Sequence, residues 1–192
     1  MHMSERDLHA WNRILRGETG FTIMEIVFVV LLLGAMVAIA IPAFSNWLPA
    51  YHLKAACQDL FGSLQLAKAT AMGKGVNCTV SFNQPVNDQT FDYVVFLDTD
   101  GDLEYDLGET ILVKRSWGKD NFPGIWFDPS HGGGDGLTFS NNDKGIPAIS
   151  FQASGIPISN SGGLGMGTAY VTNSKGMVAK VVVSCSGNIR VE

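Results

Sequence analysis

The stretch "RGETGFTIMEIVFVVLLLGAMVAIAIPAF", Arg16 to Phe44, decides how the chain is built. Phe21 to Ile41 is 21 residues with Glu25 as its only charge. At about 1.5 Å of rise per residue this run spans roughly 30 Å, the hydrocarbon core of one bilayer. A carboxylate at that depth costs about 2–3 kcal/mol on insertion scales, so Glu25 needs a reason to be there. Arg13 and Arg16 precede the run, which favours an N-terminus inside and a C-terminal domain outside. A cleaved secretory signal carries its small-residue site just after the apolar core. Here Gly17-Glu18-Thr19-Gly20 lies before the core and no A-x-A site directly follows it, so the segment is expected to stay attached to the domain.

About 150 residues remain beyond the run, enough for one domain with its own core. Most of the 22 glycines fall after residue 100, a pattern of short strands and loops rather than of a helical bundle. The net charge is −5. Residues 1–20 hold three basic and three acidic residues, so the balance is unchanged without them. A general nucleic-acid binder would show a basic excess, which argues against DNA as a partner.

Gly20, Phe21, Glu25 and the apolar run stand in the register of a known signal. "GETG|FTIMEI" resembles the class III signal of type IV pilins and of the pseudopilins of type II secretion. The resemblance implies a leader over 1–20, cut after Gly20 by a prepilin peptidase on the cytoplasmic face. That enzyme is also the N-methyltransferase for the new terminal residue, Phe21. It further implies a transmembrane helix over 21–43 in the cell inner membrane and a periplasmic domain over 44–192. Glu25 falls at the family's hallmark glutamate, and Gly34 and Pro42 fall at its helix-loosening positions. In a filament of pilin or pseudopilin subunits the apolar helices bundle. Glu25 would then meet the terminal amine on Phe21 of a neighbour, and a buried charge is tolerable when paired. The alternative is a carboxylate near enough to the interface to snorkel.

An amphipathic helix is expected over about 44–74. Leu53, Cys57, Leu60, Leu64, Ala67 and Ala71 recur at spacings of 4, 3, 4, 3 and 4, one helix face, with Gly73 and Gly75 ending it and Pro42 and Pro49 as bend positions. A β-rich region over about 76–192 follows. "VNCTVSF" alternates apolar and polar residues, and "FDYVVFL" and "TILVKR" form a pair joined by an acidic loop. "GIWFD", "LTFS" and "AISF" are shorter strand candidates, "TAYVTNSKGMVAKVVVSC" is a hairpin turning at Asn173-Ser174-Lys175-Gly176, and "GNIRV" closes the chain. The expected fold is α+β and pilin-like: a long N-terminal helix on a C-terminal antiparallel sheet domain. More narrowly, "V-x-C-x-V", the D-x-D-G loop and the terminal "S-G-x-I-R-V" resemble the GspH/FimT group of minor pseudopilins and pilins.

"DTDGDLEYDLGE", Asp98 to Glu109, matches an EF-hand loop at Asp98, Asp100, Asp102 and Glu109. The Gly required at loop position 6 is replaced by Leu103 and the flanks read as strands, which excludes a true EF-hand. Two readings stay open: a calcium site of another kind in a hairpin loop, and a solvated acidic turn. "HGGGDG", 131–136, resembles the HGGG loop of esterases, but the G-x-S-x-G elbow that chemistry needs is absent and no Ser-His-Asp or Cys-His set is defensible. No catalytic residue is assigned. Of the three cysteines, Cys78 and Cys185 both sit two residues from an apolar strand position (Val80 and Val183), and Cys57 lies on the helix stripe. A Cys78–Cys185 disulfide is expected, with either pairing of Cys57 geometrically open.

The leading expectation is therefore a structural subunit of a type II secretion pseudopilus or a type IV pilus. The alternative is a DNA-uptake minor pilin of the FimT kind. Its DNA-contacting end carries G-R-x-R, whereas this chain has Gly187-Asn188-Ile189-Arg190, without the first Arg.

Overall fold

The computed structural model describes residues 20–118 and 122–192; the leader expected over 1–20 lies outside the described residues except for Gly20. The chain divides into two compact units, one ending at Ser45 and the other covering Asn46–Glu192. Helix α1, Ile23–Lys74, contributes to both.

In the first unit, Ile23–Pro42 is 20 residues of helix, long and apolar enough to cross a membrane, with none of it buried within the protein.

The second unit starts from the rest of α1. Every residue of the expected stripe, Leu53, Cys57, Leu60, Leu64, Ala67 and Ala71, is buried, and Ala56 joins them. Burying a leucine such as Leu60 or Leu64 is worth about 1.5–3 kcal/mol relative to leaving it in water. The helix closes where Gly75, at φ +69°, donates its N–H to the Ala71 carbonyl at 2.9 Å, the left-handed cap that glycine adopts without a Cβ penalty.

Among the described residues nine strands follow: β1 Asn77–Val86, β2 Gln89–Asp98, β3 Ile111–Arg115, β4 Ile125–Phe127, β5 Ala148–Phe151, β6 Pro157–Ile158, β7 Gly167–Asn173, β8 Val178–Val183 and β9 Ile189–Val191. They form two antiparallel sheets, ordered β3-β2-β1-β5-β6 and β4-β7-β8-β9. The helix stripe shares one core with both: Cys78, Val80, Phe82, Tyr93 and Val95 from the first sheet, and Phe127, Ala169, Val171, Val181 and Val183 from the second. Phe139 stacks on Phe82 at 4.7 Å between centroids. A Cβ on Gly167 would lie 2.3 Å from the Phe139 ring, so this close approach requires glycine. A second small cluster, Val86, Val94 and Phe96, is covered by Phe91, Tyr105 and Ile111.

This is the α+β layout expected, with three differences, the first being β6, which stands outside the expected strands. Strands β1 and β2 are longer than the apolar alternation suggests, because Asn87 and Asp88, at φ +47° and +63°, join them in a two-residue turn. "LTFS" is not a strand: Leu137 makes an isolated bridge to Ala169, and Thr138 bonds to Thr168.

Candidate functional site

The expected functional residues fall in separate places. At the start of α1, Phe21 and Glu25 are exposed. Thr22 is the helix N-cap: its Oγ1 accepts the Glu25 N–H at 3.2 Å, and its carbonyl accepts the same N–H at 3.1 Å. Glu25 thereby occupies the third helical position, inside the first turn, where the helix dipole favours a carboxylate by about 0.3–1 kcal/mol. Thr22 was not singled out by the sequence reading. The signal was present: T-x-x-E ahead of an apolar run is a capping box.

The acidic loop joins β2 to β3. It brings Asp98, Asp100 and Asp102 together, with one oxygen from each within 4.8 Å of the others. Asp98 is buried and both its oxygens are engaged: Oδ1 accepts the Gly101 N–H at 2.7 Å, and Oδ2 accepts Thr79 Oγ1 at 2.8 Å and the Leu103 N–H at 3.2 Å. Glu109 does not join the cluster. It closes the neck of the loop, accepting the Thr99 N–H at 3.0 Å and the Asp106 N–H at 3.2 Å. Leu103 takes φ +63°, the left-handed conformation a Gly would supply at that position, with its side chain buried. Leucine at position 6 therefore does not forbid the turn, and the strands on either side are what separate this loop from an EF-hand. Glu104 ties the loop to the 142–146 segment, accepting from Lys144 N at 2.9 Å and Nζ at 2.7 Å. Desolvation raises the pKa of Asp102 and of Glu109 above ordinary carboxylate values. The loop thus closes on its own donors at a cost in carboxylate desolvation.

The cysteines depart from the expected pairing. All three are free, and Cys78 is buried while Cys185 is exposed. Alternation put Cys185 on the face of Val183, but β8 ends at Val183. Ser184 to Gly187 form a turn, with the Gly187 N–H on the Ser184 carbonyl at 2.8 Å and Gly187 at φ +77°, and Cys185 stands at its corner. Burial pushes the thiols of Cys57 and Cys78 up to about 12.

In the glycine-rich loop, His131 Nδ1 lies 2.8 Å from Asp128 Oδ2, and its ring stacks flat on Tyr170 at 4.4 Å between centroids. The histidine staples its loop to β7. At the C-terminus, Arg190 Nε donates to Glu192 Oε1, and Lys180 Nζ pairs with Glu192 Oε2 at 2.7 Å, so the one arginine of the "GNIR" piece is engaged by a carboxylate.

Searches of curated proteins and of solved structures return no significant match. The family model described as type II transport protein GspH matches residues 56–187. That match runs from the buried helix stripe through both sheets to the turn before β9, and an apolar helix able to span a membrane stands directly ahead of it. The chain belongs to the GspH family of type II transport proteins, pseudopilin-type structural components of type II secretion.

Proposed function

We propose that the chain is a minor pseudopilin that matures by cleavage between Gly20 and Phe21 and N-methylation of Phe21. It is held in the inner membrane by residues 21–43 with its domain in the periplasm, and is then drawn into a short filament with other pseudopilin subunits. The observation that carries this reading is the family match over 56–187 standing behind an apolar helix whose only carboxylate is Glu25. In this reading Glu25 pairs with the amine on Phe21 of a neighbouring subunit, and breaking such a pair in a dry helix bundle costs about 3–5 kcal/mol.

The capping geometry sharpens the test. The Thr22 bonds are made to the backbone N–H of residue 25, so either substitution keeps them, and glutamine keeps the side-chain shape without the charge. Glu25→Gln and Glu25→Ala are both expected to reach the wild-type level in the membrane, since removing a charge favours insertion. Both are expected to co-purify poorly with the other pilin subunits. Wild-type co-purification of Glu25→Gln with loss for Glu25→Ala would assign assembly to the polarity of the side chain and not to its charge.

A further inference from the structure

The end of the Asn46–Glu192 unit where the helix enters carries exposed aromatic and aliphatic side chains from two separate elements. On the helix, Trp47 and Tyr51 are 57% and 54% exposed, and their rings stack at 5.1 Å. The β7–β8 turn is fastened to the same level, because Asn173 Nδ2 donates to the Pro49 carbonyl at 3.0 Å. Beside that turn Trp126, Thr172 and Val178 form one cross-strand row over β4, β7 and β8, and Trp126 is 43% exposed. Met177 and Val178 are exposed as well.

We propose that this end is a membrane-interface surface that rests on the phospholipid headgroups before assembly; this rests on the reading that residues 23–42 span the membrane. The first support is chain length. Trp47 stands five residues and Pro49 seven residues past Pro42. So short a stretch of chain keeps this end within reach of a headgroup layer of about 5–8 Å on each side of the hydrocarbon core. The second is chemistry. Tryptophan and tyrosine are the residues that settle at the membrane–water boundary, where an apolar ring and a polar edge are both satisfied. The third is charge. Residues 44–58 and 173–178 contain Lys54 and Lys175 and no carboxylate, in a chain of net charge −5, and both lysines are exposed. Lysines near the surface of an anionic leaflet are attracted to it. The surface would hold the domain against the bilayer while the subunit waits, and would be given up on extraction into a filament.

The test uses the full chain in phosphatidylethanolamine–phosphatidylglycerol vesicles, with and without a headgroup spin-labelled lipid, read by tryptophan fluorescence. Trp11 is replaced by phenylalanine throughout, and the buried Trp117 contributes a constant background. The label is expected to quench the wild type, and Trp47→Phe and Trp126→Phe are each expected to lose part of that quenching and together most of it, with unchanged flotation on the vesicles. Equal quenching in wild type and double variant, with flotation intact, overturns the surface and leaves the membrane span standing. Loss confined to Trp47→Phe removes the hairpin and overturns it too. Shielding from iodide that grows with protein density, without lipid quenching, assigns the face to another subunit instead. A chain that fails to float refutes the span itself.

Discussion

The Tyr93 hydroxyl on β2 donates to Asp59 Oδ2 on α1 at 2.6 Å. Arg115 on β3 reaches the same carboxylate at 3.2 Å, and Ser63 lies 3.1 Å from the Tyr93 oxygen. One carboxylate on the helix thus fastens two neighbouring strands. Burial, then Asp59, pushes the Tyr93 pKa well above the ordinary 10.0. Above pH 10 the unfolded chain loses this proton while the folded chain keeps it, so stability falls as pH rises. Tyr93→Phe is expected to cost about 1–2 kcal/mol at neutral pH, leaving Asp59 to Arg115 alone. It should also flatten the alkaline decline. Denaturant melts at pH 7 and at pH 11 check both; an unchanged alkaline slope would contradict the tie.

The acidic loop is expected to fold without metal, because both oxygens of Asp98 and both of Glu109 already accept protein donors. Asp98→Ala strands the Gly101 and Leu103 N–H groups and should cost about 1–3 kcal/mol or more. Asp102→Asn is expected to be neutral or stabilising at pH 7. The Asp102 pKa is raised, so its ionised form weighs against the fold above the acid range, and that penalty is relieved as pH falls through the folded pKa. Leu103→Gly sets two terms against each other. Left-handed strain of about 1–2 kcal/mol is relieved, but a buried leucine worth about 2–5 kcal/mol is lost, so the cavity wins. Melting with calcium and with chelator completes the set. A calcium-dependent rise that Asp102→Asn abolishes would make the cluster a cation site.

The thiols give a direct readout. Cys185 is expected to take maleimide in the native protein, while Cys57 and Cys78 react only on unfolding, because they are buried and their thiolates are disfavoured up to about 12. Intact-mass analysis of native labelling should show one adduct. Protection of Cys185 that reducing agent removes would restore the Cys78–Cys185 bridge.

The helix stripe was legible because six apolar positions hold a 3.6-residue period over 19 residues, and the structure buries all six. Strand cores such as Val80 and Val95 were legible from alternation. The Asn87–Asp88 turn carried a readable signal that apolar counting passed over, as did the Thr22 cap. Leu103 in a left-handed conformation was not readable, since leucine seldom adopts it and only the surrounding bonds hold it there. The Asp59–Tyr93–Arg115 tie was equally out of reach: its members lie 34 and 56 residues apart and meet only when helix and sheet pack. Cys185 misled because alternation predicts a face only while the strand lasts.

Maturation at Gly20–Phe21 is the step on which entry into a filament as a subunit depends. Mass spectrometry of the membrane form, from cells with an active prepilin peptidase, tests it most directly. The expected chain begins at Phe21 and carries one N-terminal methyl group. A membrane-bound chain that retains residues 1–20 in those cells would contradict it.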